Sequence, residues 1–197
     1  MNEDSQQALN PWVSILIRPR ETIQQVVDND PNSNILLLAV LLGIAQAINE
    51  LAYPAFTDQL LFELLVEMIV SCAVGIISVY VSSFFTFMTG MWIGGDAPLS
   101  HVRAATAWSY LPFIAASFVI IPLTWIFRGS AHEVARVLKA AAAILTLIVG
   151  FKTLSQVQEF SMCKTAVNMF LSLLINMALL FVLMIPLSMI IAVLANL

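Results

Sequence analysis

Several ionisable and amide side chains lie inside or beside stretches that are otherwise almost wholly apolar. They are Gln46, Asn49, Glu50, Glu63, Glu67 and Asn176. The first three are spaced i, i+3, i+4 and therefore share one face of a helix, and Glu63 and Glu67 share a face one turn apart. Because polar groups are expensive in hydrocarbon, side chains of this kind are candidates for function.

Two readings of this polar set stay open. Carboxyl and amide groups on one helix face could relay protons or ions, so one reading is coupled transport through Gln46, Asn49 and Glu50, with Asn176 contributing. The other reading is an interhelical hydrogen-bonded patch that stabilises a helix bundle.

Catalysis and metal binding have little support in the sequence. We find no nucleophile elbow, phosphate-binding glycine loop or H-E-x-x-H pattern, and His132 and Glu133 are adjacent, so they face different ways on a helix. Cys72 and Cys163 are too far apart in the sequence to match the spacing of a metal-binding cysteine motif. We therefore expect no catalytic residue, no metal and no cofactor. No basic stripe suggests nucleic acid.

Composition places the chain in a membrane. Of its 197 residues 60% are hydrophobic and 10% are charged, whereas soluble domains average about 25% charged residues. A span needs about 20 apolar residues, and the apolar runs predict an all-α bundle of five transmembrane helices. These runs cover about Ile35–Phe56, Leu64–Ile93, Ala104–Phe127, Val137–Phe151 and Ala166–Leu194. Residues 35–197 would form this domain, with kinks at Pro112, Pro122 and Pro186.

Residues 1–34 precede the bundle as a cytoplasmic tail with a short interfacial helix. Asn10 is a good N-cap, and both Pro11 and Pro19 suit the first position of a helix. The segment pairs apolar side chains with arginines, as helices at a membrane–water interface do. The residues predicted to contact the membrane or a partner protein are Trp12, Arg18, Arg20, Ile23 and Val27.

Small residues recur along the second span at the spacing that lets helix backbones approach closely. The ridge includes Ser71, Gly75, Ser78 and Ser82. We interpret it as the packing seam of the bundle rather than a pore lining. It is also the surface through which the chain could form oligomers.

Basic residues favour a cytoplasmic N-terminus. With five spans, one side holds Arg18, Arg20, Arg103, Lys152 and Lys164, and the other holds Arg128, Arg136 and Lys139. The excess marks the cytoplasmic side. The C-terminus would then lie on the opposite side.

The N-terminal motif resembles the bacterial branch of the Yip1 family. It reads Pro11-Trp12-x-Ser14-Ile15, then Arg18-Pro19-Arg20-Glu21-Thr22-Ile23, then Val27-Asp28-x-x-Pro31, and similarity continues in Gly94-Gly95 and in Ala-Trp-Ser-Tyr-Leu-Pro at 107–112. The resemblance implies a five-helix fold, a bacterial cytoplasmic membrane and a cytoplasmic N-terminus, and for bacterial members a fold rather than an activity.

These observations lead to one functional prediction and one alternative. The prediction is a non-catalytic scaffold that organises membrane or partner proteins through the interfacial helix and the small-residue ridge. The alternative is a small transporter or channel that uses Gln46, Asn49 and Glu50.

Overall fold

The computed structural model describes residues 9–51, 60–126 and 131–194. Within these ranges the chain forms helices and turns and no strand. The helices are α1 (Pro11–Ile17), α2 (Pro19–Asn29), α3 (Ile35–Leu51), α4 (Leu60–Trp92), α5 (Leu99–Ser109), α6 (Leu111–Ile126), α7 (Ala131–Val157) and α8 (Met162–Leu194).

The N-terminal helices begin where their capping residues predict. The Asn10 Oδ1 accepts a hydrogen bond from the Trp12 backbone N–H at 3.2 Å, and Pro11 is the first helical residue. Pro19 starts α2 after Arg18 interrupts the helix. The chain then turns through 30–34, where Asp30 Oδ1 accepts from the Asn32 N–H at 3.0 Å and Asn34 adopts a left-handed φ of 60°.

Three described helices are long and apolar enough to cross a membrane. Their apolar parts are Leu65–Trp92, Glu133–Val157 and Met162–Pro186, and Ile35–Ile48 is a shorter apolar helix. The described part of the chain is therefore all-helical, and its long apolar helices indicate a multi-pass membrane protein. Five spans stay a prediction, because α3, α5 and α6 are each shorter than those three helices.

The predicted third span is two helices rather than one kinked helix. α5 ends at Ser109 and α6 begins at Leu111, with Tyr110 between them. Pro112 has no N–H for the Trp108 carbonyl four residues earlier, and its ring would clash with that carbonyl. The Tyr110 N–H instead closes a tighter turn onto the Ala107 carbonyl. By contrast, α6 and α8 continue through Pro122 and Pro186.

Helix α7 also differs from its expected bounds. It runs over Ala131–Val157, whereas the apolar run predicted a span of about Val137–Phe151. Hydropathy identifies only the apolar central segment of a helix. The backbone hydrogen bonds of α7 continue beyond that segment, through a charged first turn and a polar last turn.

The helices pack around a core that includes the N-terminal pair. α3 lies against α4 and α6, α5 and α6 lie against α7, and α8 lies against α4 and α7. α2 packs on α7 and α5. Leu38, Val102 and Trp108 are among the side chains buried at the centre. The core therefore joins membrane helices to residues that precede them.

The backbones of α3 and α4 touch through two glycines. A Cβ at Gly43 would overlap the Ser71 carbonyl, and one at Gly75 would overlap the Ala39 carbonyl. Close approach of this kind lets dispersion contacts hold helices together where lipid removes the hydrophobic force between them. Part of the small-residue ridge is thus used inside one chain.

Gly75→Val should force α3 and α4 apart and lower the free energy of unfolding by about 1–3 kcal/mol, the usual cost of overpacking. Ala73→Val on the same helix is the matched control, because Ala73 is exposed. Thermal unfolding in detergent measures both. Equal unfolding temperatures for the two variants would contradict the close contact.

Candidate functional site

The apolar side of the N-terminal helix pair (α1 and α2) is docked on the bundle. Ile15 and Ile23 are fully buried, and Val27 is nearly so. The Trp12 ring meets the buried Trp108 ring edge-on, with centroids 5.1 Å apart. Trp12, Ile23 and Val27, which the sequence offered as contacts for membrane or partner, thus pack against the chain's own helices.

Polar contacts tie the same pair to the end of the bundle where α7 turns into α8. The Gln156 Nε2 donates to Gln24 Oε1 at 3.3 Å. Arg20 Nη2 lies 3.9 Å from the sulfur of Met162, the first residue of α8. The Leu9 backbone and the Gln25 side chain exchange two hydrogen bonds, at 3.0 and 3.2 Å. The pair is therefore held on both its apolar and its polar sides.

The opposite side of α1 stays exposed. Its residues are Val13, Leu16 and Ile17, and Arg18 and Arg20 follow directly and are exposed as well. We call these five residues the outer face. Arg18 pairs with Glu21 at 3.4 Å on the surface, where such a pair contributes little stability. Of the predicted interface residues, the two arginines are the ones placed outward.

A buried chain of hydrogen bonds joins α4, α8 and the turn between α7 and α8. The Thr89 hydroxyl donates to Asn168 Oδ1, and Asn168 Nδ2 donates to Gln158 Oε1 at 2.7 Å. Thr89 and Asn168 are fully buried, and Gln158 almost so. We call these three residues the polar tie. A Cβ at Gly90 would overlap the Gln158 amide, so a glycine there makes room for it.

The sequence points to only part of this tie. Asn168 is an amide inside the apolar run of about Ala166–Leu194, whereas Thr89 is one of many small hydroxyl residues on α4 and Gln158 lies in the polar connection between α7 and α8. The partner of an intramembrane amide depends on which helices are neighbours, and spacing within one helix does not contain that information.

The six predicted polar residues do not form one described site. Gln46 is half-buried on α3, and Glu67 on α4 accepts a hydrogen bond from the Ser71 hydroxyl at 3.0 Å. Asn49, Glu50 and Glu63 lie in helices, but their side chains are outside the described part of the structure. Asn176 is on α8, where its Nδ2 donates to the Ser172 carbonyl at 2.7 Å.

A cavity of about 670 Å³ lies between α4, the α5–α6 break, α7 and α8. Its polar lining consists of Ser78, Ser82, Thr86, Thr106, Ser109, Tyr110, Thr146, Ser172 and Asn176. Its apolar lining includes Ile77, Leu147, Leu173 and Leu183. Ser71 and Gly75 pack on α3, so the small-residue ridge divides: one half meets a helix and the other half, Ser78 and Ser82, faces this cavity.

The cavity wall is uncharged among the residues described there, and it offers mainly acceptors. Thr86, Thr106 and Ser172 donate their hydroxyl protons to carbonyls of their own helices at 2.8, 2.8 and 3.0 Å. Their oxygen lone pairs stay available. The Thr146 hydroxyl has no hydrogen-bond partner within the described structure. The wall can therefore hold a neutral molecule by dispersion and by hydrogen bonds.

Metal chemistry gains no support from the geometry. The described residues contain no group of three or more His, Cys, Asp or Glu side chains that could hold an ion. Cys72 is half-buried and Cys163 is exposed, both as thiols.

Comparison with known proteins gives one match. The sequence model of the Yip1 domain family matches residues 13–194, nearly the whole chain. No curated protein and no solved structure matches.

Replacing the central amide of the polar tie tests its contribution. Asn168→Leu would leave the Gln158 and Thr89 side chains buried without this partner, so the free energy of unfolding should fall by about 1–3 kcal/mol. Asn176→Leu is the control, because that amide bonds only within its own helix among the contacts described. Thermal unfolding in detergent should separate the two variants, and a control that loses as much would refute the tie.

Proposed function

The chain belongs to the Yip1 domain family, and from its N-terminal geometry we propose that it is a non-catalytic scaffold that organises membrane lipids or partner proteins. The Yip1 family is not known as an enzyme family. The apolar helices support a multi-pass membrane protein.

The outer face of α1 is the observation that carries this proposal. Val13 is 58% exposed and Ile17 is 74% exposed, and Arg18 and Arg20 follow them. Aliphatic side chains beside arginines suit the boundary between headgroups and acyl chains, or an apolar patch on another protein at that depth. Because α2 is docked, the outer face is held in one orientation. A pre-ordered surface loses less conformational entropy when it binds a partner.

The packing of the turns supports the topology that we propose. The N-terminal pair bonds the end of α7, and a Cβ at Gly95 in the α4–α5 turn would lie 2.6 Å from the Phe160 ring in the α7–α8 turn. The N-terminal helix pair, the α4–α5 turn and the α7–α8 turn therefore lie at the same end of the bundle, as a chain that crosses the membrane five times requires. With the excess of basic residues at that end, we place it in the cytoplasm of a bacterium and the C-terminus across the cytoplasmic membrane.

The main test compares exposed apolar residues at that end. Leu16→Asn with Ile17→Asn should abolish capture of specific proteins or lipids by the full chain from its native membrane, because both side chains lie on the outer face. Met91→Asn is the matched control, since Met91 is exposed in the last turn of α4. Quantitative mass spectrometry of captured proteins and lipids measures the difference. Identical capture by both variants would reject the proposal.

Transport through Gln46, Asn49 and Glu50 is the second candidate. The cavity gives it less support, because the described lining includes Asn176 but neither Gln46 nor Glu67.

Flux measurements decide this alternative. A transporter that uses Glu50 should lose proton or sodium flux in reconstituted vesicles on Glu50→Gln, whereas Glu67→Gln should retain it. Absence of flux in the unaltered chain, or full flux in the Glu50→Gln variant, would eliminate the polar stripe as a route.

A further inference from the structure

We propose that the cavity between α4, α5–α6, α7 and α8 binds a neutral, hydroxyl-bearing membrane lipid with a single apolar chain. Its volume of about 670 Å³ lies within the range of about 300–1,000 Å³ typical of small-molecule sites. Like those sites, it combines an aliphatic lining with a limited number of hydrogen-bonding groups. This inference is independent of the scaffold role.

The depth of the polar groups determines which lipids fit. Thr146 is near the centre of the apolar helix Glu133–Val157, and Asn176 is near the centre of Met162–Pro186. Both line the cavity. A phosphate headgroup brought to this depth would need a compensating cation, since charges are costly near the bilayer centre, and the described lining holds none. A hydroxyl head carries no such cost once it is hydrogen-bonded.

The donors and acceptors also fit a lipid alcohol. The serine and threonine hydroxyls that donate to their own carbonyls keep acceptor lone pairs, and the Asn176 Nδ2 is likewise engaged with Ser172. A lipid hydroxyl can donate to the serine and threonine oxygens that line the cavity. A lipid without a donor could make no such hydrogen bond and would gain less on binding.

The size of the cavity argues against a helix of a second copy as the occupant. An α-helix with its side chains is about 10–12 Å across, so this volume would hold less than about two turns of one. A lipid chain is narrow enough to lie along the wall formed by Ile77, Leu147 and Leu173. The membrane supplies such lipids from the side, because α8 is exposed along most of its length.

Saturable binding of radiolabelled 1-oleoylglycerol to the full chain in phosphatidylcholine nanodiscs tests the proposal. One molecule should bind per chain. Ser78→Phe places an aromatic ring inside the cavity and should lower the affinity at least tenfold. Val74→Phe, one turn earlier at an exposed position outside the lining, should leave it unchanged. Asn176→Leu removes an amide from the lining with little change of volume and should weaken binding severalfold, which keeps the test sharp if Ser78→Phe does not fold.

Two comparison lipids identify what is recognised. Methyl oleate has the same chain without hydroxyls, and oleoyl-lysophosphatidylglycerol adds a charged phosphate, so both should compete at least tenfold less well. Equal competition by either lipid would overturn the proposal. Unsaturable binding, equal binding by the Ser78→Phe and Val74→Phe variants, or a dimer that Ser78→Phe dissociates would overturn it as well.

Discussion

Burial of the apolar side of α2 on α5 and α7 is the interaction from which the N-terminal architecture follows. Ile23 enters the same core as Trp108, and Trp12 of α1 is positioned against that ring. Because α2 and Trp12 are docked, the remaining apolar residues of α1 lie on its exposed side. The docked α2 also fixes the position at which the turn 30–34 into α3 begins. Burial of an Ile side chain contributes about 1.5–3 kcal/mol, far more than the exposed Arg18–Glu21 pair.

The polar tie plays the corresponding role for α8. In hydrocarbon an amide must find a partner within the protein, and Asn168 finds Thr89 on one side and Gln158 on the other. Beyond the tie, the cavity separates α8 from the α5–α6 break, and Asn176 lines that cavity. Helix α8 is thus held by hydrogen bonds near its N-terminal end and borders the cavity further along. A scaffold surface and a lipid cavity can coexist because they lie in different parts of the bundle.

The sequence predicted what depends on local chemistry and missed what depends on neighbours. Hydropathy identified the membrane class, and Asn10, Pro11 and Pro19 located the starts of α1 and α2. Ile23 and Val27 were predicted to contact the membrane or a partner protein. Their apolar character does not distinguish lipid from the chain's own helices, since both environments are apolar. Pro112 predicted a kink in the third span. Whether the helix only bends or is interrupted at Tyr110 depends on the packing of neighbouring helices, which the sequence does not show.

Hydrogen exchange of α2 in lipid nanodiscs tests the docked helix pair most directly. Amides from Thr22 to Val27 should exchange slowly, with protection close to that of the buried α5 segment Val102–Trp108, because opening α2 would expose Ile23 and Trp108 together. Exchange of those α2 amides as fast as an undocked surface helix, while α5 stays protected, would contradict the docking of the pair.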